Sequence, residues 1–271
     1  MRIGLIGCGN IGTILATYID KELFGIELVG LFDKNGKRAE ELSRKLKRVK
    51  ARVVDSLENL LSLNPKLVIE AASQEAVKDY ATKILEKADL MIMSVGALET
   101  HELYSALLEK ARERRRRVYI PSGAILGIDG IKAASLGKIY EVMLTTIKNP
   151  KSLEQTPYLT GKGIDLKQIK ERTVLFEGCA RDAIKYFPKN VNVAATLSYA
   201  SIGSEKVKVR IIADPEVKNN IHEIYAKGDF GELYTRAKNV PSQANPKTSY
   251  LAALSAMQTL KQILEPVRIG T

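Results

Sequence analysis

The stretch Arg2-Ile3-Gly4-Leu5-Ile6-Gly7-Cys8-Gly9-Asn10-Ile11-Gly12 decides the fold. Its first five residues form a short, mostly apolar run that predicts a buried strand. Gly7 to Gly12 then fit G-x-G-x-x-G at the point where a helix opens at Asn10. Each glycine has its own task in such a turn. Gly7 permits the tight bend, Gly9 lets backbone approach a pyrophosphate, and Gly12 allows close packing of helix on strand. Asn10 and Ile11 start the helix, whose N-terminal N–H groups favour an anion. Asp33 follows Gly12 by 21 residues, at the end of a second apolar run over 26–32. There a carboxylate would bond the adenosine ribose hydroxyls. Gly7, Gly9, Asn10, Ile11, Gly12 and Asp33 are therefore expected to bind a dinucleotide. Lys34, Lys37 and Arg38 come next and could neutralise a 2′-phosphate, which leaves both NAD and NADP open. Cys8 occupies a free position of the loop and is expected to be a small filler.

Outward from this loop, short apolar runs alternate with longer amphipathic segments. Strand-like runs over 2–6, 26–32, 67–70, 90–94 and 118–120 are separated by helical patterns from Asn10, over 37–46, over 74–87 and from 100 to about 115. Leu67-Val68-Ile69 and Leu90-Met91-Ile92-Met93 are unbroken apolar runs, as parallel strands covered on both faces require. The pattern predicts an α/β fold: a Rossmann-type doubly wound parallel sheet over 1–120. After Pro121-Ser122-Gly123-Ala124 the alternation is lost. A helix over 129–136 and a long strand over 140–147 lead into a Pro-, Gly- and Lys-rich passage. Helical patterns follow at 181–187 and 191–201, then strand-like runs at 206–213, 223–226 and 231–238. Strands next to strands suggest an antiparallel sheet, so 121–244 is expected to be a second, α+β domain. A last helix is expected after Asn245-Pro246, running to about 264 with Leu251, Leu254, Met257 and Leu260 at helical spacing.

With 271 residues, 45% of them hydrophobic, the chain can bury a substantial core, and a disordered or fibrous protein is excluded. The net charge of +11 favours anionic ligands. The basic residues are scattered, and the densest run, Arg112 to Arg117, sits where a helix ends and cations are favoured; no nucleic-acid partner is expected. Two cysteines and two histidines, each far apart, predict neither a disulfide framework nor a bound metal. Without a signal-peptide pattern or a long apolar run, no membrane association is expected, and the expected location is cytoplasmic.

Later blocks carry a resemblance. Gly7-Cys8-Gly9-Asn10-Ile11-Gly12, Pro-Ser-Gly-Ala-Ile-Leu-Gly at 121–127 and Phe-Pro-Lys-Asn-Val-Asn-Val-Ala-Ala-Thr-Leu at 187–197 are similar to segments of the L-aspartate dehydrogenases. So are Asn-Asn-Ile-His-Glu-Ile at 219–224 and Asn-Val-Pro-Ser-Gln-Ala-Asn-Pro-Lys-Thr-Ser at 239–249. The resemblance implies NAD(P)-dependent oxidative deamination of L-aspartate through iminoaspartate, a product that can feed NAD biosynthesis. It also implies a homodimer, dimerising through the second domain, and a C-terminal segment, 245–271, that completes the first domain. Ala124 (by its backbone) and Asn190 (by its side chain) are implied cofactor contacts, and His222 the catalytic residue. The passage at 157–173 departs from the family pattern.

The residues themselves speak to the same assignments. His101 lies in a charged helix and is expected to be structural. His222 is the side chain type best matched to proton transfer near neutral pH. Lys247, Thr248 and Ser249, expected at the N-terminus of the last helix, either cap it or receive a substrate carboxylate. Asn190 and Asn192 flank a helix start, where an amide caps the helix or meets a nicotinamide. A sugar dehydrogenase would show Glu-Lys-Pro where this chain has Val95-Gly96-Ala97-Leu98-Glu99. A reductase of the dihydrodipicolinate type would show paired histidines that are lacking here. A dinucleotide-sensing regulator would need no proton-transfer residue.

Overall fold

The computed structural model describes residues 1–99, 101–187, 192–242 and 245–270, with the backbone alone at His101 and at 245–247. The chain forms two compact units, 1–121 with 256–264, and 122–255 with 265–271.

In the first unit the elements run β1 (Arg2–Ile6), α1 (Asn10–Glu22), β2 (Glu27–Phe32), α2 (Gly36–Lys45), β3 (Arg52–Val54), α3 (Leu57–Ser62), β4 (Leu67–Glu70), α4 (Gln74–Leu85), β5 (Asp89–Ile92), α5 (His101–Glu113) and β6 (Val118–Tyr119). All six strands are parallel, in the order β3-β2-β1-β4-β5-β6. The chain steps outward from β1 to β3 and then returns to the other side of β1 with β4. This reversal creates a switch point between β1 and β4, where such sheets bind ligands. Ile3, Leu5, Leu28, Leu31, Ile69 and Met91 fill the sheet core, with Leu15 and Ile19 of α1 packed on it. Each contributes roughly 1.5–3 kcal/mol by leaving water. β3 and α3 escaped the sequence reading. β3 is a three-residue edge strand without a buried side chain, and α3 is a six-residue helix whose start is fixed by Ser56 Oγ accepting from Asn59 N at 3.2 Å.

The second unit contains α6 (Ile128–Ala134), β7 (Ile139–Lys148), α7 (Pro157–Gly161), β8 (Thr173–Cys179), α8 (Ala180–Tyr186), α9 (Asn192–Ala200), β9 (Lys208–Ala213), β10 (Asn220–Gly228), β11 (Gly231–Asn239), β12 (Pro241–Ser242) and β13 (Asn245–Ser249). α10 (Tyr250–Leu264) starts here, and its residues from Ala256 onward belong to the first unit. The main sheet is ordered β11-β10-β7-β9-β8. It is mixed rather than purely antiparallel, because β7 and β9 run parallel. α8 packs on β8 and β9 and against α9. Alternation along β7 buries Val142, Leu144, Thr146 and Lys148 and leaves Glu141, Met143 and Thr145 partly exposed on the other face.

The last helix starts later than expected. Residues 245–249 form β13, which pairs antiparallel with β12 through Pro241↔Ser249 and Ser242↔Asn245. Pro246 drives the preceding residue out of helical backbone, and Tyr250 N donates to Val240 O at 3.0 Å to close the hairpin. Among the described residues no helix is long and apolar enough to cross a membrane.

Candidate active site

The glycine loop is built by close backbone approach. Gly7 has φ +93°, and a Cβ there would lie 2.5 Å from the Ala71 carbonyl oxygen. A Cβ on Gly12 would lie 1.9 Å from the Gly7 carbonyl oxygen. Gly9 is different: nothing lies within 4 Å of its Cβ position, so the space beside its backbone is open. That opening fits a pyrophosphate. Asn10 and Ile11 take the first two positions of α1, whose first turn is closed by Thr13 N donating to Gly9 O at 2.9 Å.

Asp33 is tied to the same loop. Its Oδ2 accepts from Cys8 N at 2.7 Å and its Oδ1 from Asn35 N at 2.8 Å. It lines a cleft with Gly7, Gly9, Lys34, Arg38 and Ser73, so the carboxylate and both cations reach the same space. Burial, reinforced by the Asp33 charge, pushes the Cys8 thiol up to about 12. A thiol so disfavoured as thiolate is unreactive, in keeping with a filler.

Glu70 is a member of this region that the sequence reading missed. It ends β4 and is buried. Its Oε1 accepts from Ala72 N at 2.8 Å, Ser73 N at 3.0 Å and Ser94 Oγ at 2.9 Å, and its Oε2 accepts from Ser94 N at 3.0 Å. Burial raises its pKa against the pull of these donors. One carboxyl thus fixes the loops that follow β4 and β5. The available signal was a carboxylate closing the apolar run Leu67-Val68-Ile69.

In the second unit, polar side chains gather on the buried face of the main sheet. His222 lies on β10 opposite Thr146 of β7 and Ala237 of β11. The Thr146 Oγ1 is 3.0 Å from His222 Nδ1. Burial, and secondarily the charge of Lys148, pushes the imidazole down to about 3, so the ring is neutral at physiological pH. Lys148 is 4% exposed, and burial pushes its ammonium down to about 8. Asn220 precedes His222 by two positions on the same strand face and donates from Nδ2 to Ser249 Oγ at 3.4 Å. Its register partner, Asn239, donates from Nδ2 to the Ala124 carbonyl at 2.9 Å.

Three of the expected site residues are therefore brought together: Ala124 and Ser249 are linked through the Asn239 and Asn220 amides to the strand carrying His222. Lys247, Thr248 and Ser249, expected at the start of the last helix, lie on β13, which runs directly into α10 at Tyr250. Ser249 is therefore the residue from which the helix starts. Thr248 is half-buried and Ser249 is buried, while the Lys247 side chain and all of Asn190 lie outside the described residues. Lys148 was also missed. Its signal was the alternation Val142, Leu144, Thr146, Lys148, which puts two polar residues at core positions.

Glycines shaped for a pyrophosphate make the first unit a dinucleotide-binding Rossmann domain, and the chain a dinucleotide-dependent oxidoreductase. Comparison with known proteins agrees and goes further. A family model described as homoserine dehydrogenase, NAD binding domain, matches residues 7–121, and one described as aspartate dehydrogenase, C-terminal, matches 129–263. The chain is 50% identical to the L-aspartate dehydrogenase of Methanosarcina barkeri and 47% identical to that of Methanococcoides burtonii, in both cases over 100% of each chain. It is similar to the crystal structure of aspartate dehydrogenase from Thermotoga maritima, with a TM-score of 0.77 and 30% identity, over 100% of this chain and 99% of that one. The chain belongs to the L-aspartate dehydrogenase family.

Proposed function

We propose that the chain oxidises L-aspartate to iminoaspartate, which water converts to oxaloacetate and ammonia. The observation that supports this most is the neutral, buried His222, held at Nδ1 by Thr146, in a member of this family. NAD or NADP, when bound, supplies the hydride acceptor. Gly7, Gly9, Asn10, Ile11 and Gly12 hold the pyrophosphate and Asp33 the adenosine ribose, while Ala124 and Asn190 are assigned to the cofactor by resemblance.

His222 acts on the water that attacks the imine carbon. With Nδ1 engaged by Thr146, Nε2 is the nitrogen that takes the proton. The resting ring resists protonation because burial and Lys148 both oppose it. A dicarboxylic substrate beside it supplies the negative charge that favours the imidazolium, so basicity rises when aspartate is bound.

The enzyme is proposed to act in the cytoplasm as a homodimer, with iminoaspartate as a feed for NAD biosynthesis. The deciding experiment follows reduced nicotinamide by absorbance with aspartate, alanine, glutamate and malate, each with NAD and with NADP. Turnover selective for aspartate supports the reading. Cofactor binding without turnover of any of the four would point instead to a dinucleotide-sensing regulator.

A further inference from the structure

The first unit holds a second cleft, of about 410 Å³, whose lining residues all fall within 98–120 and none of which lines the dinucleotide cleft. Its size is that of a small-molecule site. The end of α5 folds the basic run at 112–117 into it. Arg115, with φ +52°, takes the left-handed conformation that closes a helix, at a place where glycine is usual. Arg115 N donates to Arg112 O at 3.2 Å and Arg116 N to Ala111 O at 2.8 Å, so the chain doubles back, and Arg116 and Arg117 line the same cleft as Arg112. Lys110 and Arg114 hold Glu86 and Glu113. Among the described residues no carboxylate pairs with Arg112, Arg116 or Arg117, and none lines the cleft. The Nε of Arg116 is buried and meets no acceptor. Cations are favoured beside the carbonyls of a helix C-terminus, yet this N–H reaches none of them. Much of the remaining lining is apolar, with Leu107 and Leu108 on α5 and Val118 on β6, the edge strand of the sheet. Leu108 is 39% exposed.

We infer that this cleft binds a small organic anion with an apolar body. The carboxylate or phosphate head accepts from Arg116 Nε and is held by the charges of Arg112 and Arg117, while the apolar body lies against Leu107, Leu108 and Val118. A buried N–H without an acceptor is costly, and an arriving oxyanion satisfies it. Guanidinium groups present several donors in a planar fork matched to carboxylate and phosphate oxygens. Apolar walls add affinity in proportion to the area that leaves water. An inorganic ion would leave these walls wet, and a neutral apolar molecule would leave the arginine donor unmet, so the two features together call for one amphiphilic molecule. The site is independent of the proposed reaction, since neither His222 nor any residue of the dinucleotide cleft lines it.

The test titrates the full chain with octanoate and octyl phosphate by calorimetry, with octanol as the neutral control and acetate as the headgroup alone, each with and without saturating NAD. A saturable site is expected for a long anion, bound roughly tenfold or more tighter than either control and unaltered by NAD. Binding of both long anions or of one supports the site, and their ratio tells carboxylate from phosphate. Arg116→Met removes the buried donor and should weaken binding by roughly 10–100-fold. NAD affinity and thermal stability should be unchanged in this variant, because Arg116 Nε bonds nothing in the folded chain. Loss of stability on Arg116→Met with anion binding intact would make the arginine a structural prop of α5 and overturn the inference. Leu108→Glu, which sets a carboxylate on the exposed wall, should abolish binding and carries the test if Arg116→Met does not fold. No saturable site, octanol bound as tightly as octanoate, displacement by NAD, or affinity unchanged in a folded variant also overturns the inference. So does a Leu108→Glu chain of lower mass than the wild type by light scattering, which would make the cleft a contact between copies of the chain.

Discussion

Thr146 Oγ1 sits 3.0 Å from His222 Nδ1, in a directly opposed pair of β7 and β10 residues. The threonine reads the ring from one side and leaves Nε2 for chemistry. His222→Ala is expected to lower kcat by roughly 10²–10⁴-fold, the scale of one acid–base group, with NAD affinity retained. Thr146→Val keeps shape but strands Nδ1 in the core, at a cost of about 1–3 kcal/mol. It should lower kcat less than His222→Ala does. Steady-state kinetics with aspartate, alongside NAD titration, checks both, and a His222→Ala enzyme retaining more than about a tenth of wild-type kcat overturns the assigned role.

Asp33 accepts two backbone N–H groups while facing the cleft that Lys34 and Arg38 also line. Its carboxylate favours a free ribose hydroxyl and repels a 2′-phosphate, whereas the two cations attract one. NAD should therefore bind at least as well as NADP, and Asp33→Ala should shift the ratio of kcat/KM towards NADP. Loosening of the Cys8 and Asn35 turns should weaken both cofactors together. A wild-type preference for NADP above about 100-fold would remove Asp33 from the ribose site.

The first unit was largely legible because its signals are local. The apolar runs of β1, β2, β4 and β5 and the spacing of Gly7, Gly9 and Gly12 each concern a few neighbouring residues. What escaped depends on distant pairing. β13 exists because Ser249 and Asn245 find β12, and no helical or strand period in five residues announces that partner. Likewise Thr146, Lys148, Asn220, His222 and Asn239 are scattered over three strand segments, and the register of β7, β10 and β11 makes them neighbours. The order of the family-like blocks could suggest His222, but not Lys148 on the same sheet face.

The buried imidazole makes stability depend on pH. The folded pKa of His222 is lowered to about 3 from 6.5, so between those values the unfolded chain binds the proton and the folded chain does not. Stability therefore rises with pH across this window and is lost as pH falls through it. Asp20 acts in the same direction at lower pH. Burial raises its pKa, but N–H groups of Lys47, Val49 and Arg48 bonded to its carboxylate prevail and hold it below the usual carboxylate value. Its share of stability is lost as the carboxylate is protonated. Glu70, whose pKa burial raises, pulls the opposite way above the ordinary Glu value, so the comparison is with His222→Gln: between pH 4.5 and 6.5, from above the ordinary Asp pKa up to that of free histidine, the wild-type urea midpoint should climb more steeply than that of the variant. His222→Gln should flatten the climb, and an unchanged slope would mean that the ring is solvated in the folded protein.

The proposed homodimer is expected to form through the face of the main sheet opposite His222. There Tyr225 is flanked by Tyr234 on β11 and Met143 on β7, and Tyr234 is 63% exposed. Around this row, charges on adjacent strands are matched: Lys208 with Glu141, Arg210 with Glu177, Lys227 with Glu232 and Arg236 with Glu223. Such a surface carries little net charge despite the +11 of the whole chain, so two copies can meet here without strong repulsion. Isologous pairing about a two-fold axis sets each tyrosine row against its equivalent and buries aromatic area on both sides. Light scattering should give twice the 29.9 kDa of one chain at micromolar concentration. Tyr234→Glu, which sets an unpaired carboxylate in the centre of the contact, should shift the mass towards the monomer while each chain still binds NAD. A wild-type monomer under these conditions, or a Tyr234→Glu protein that remains fully dimeric, excludes this face as the interface.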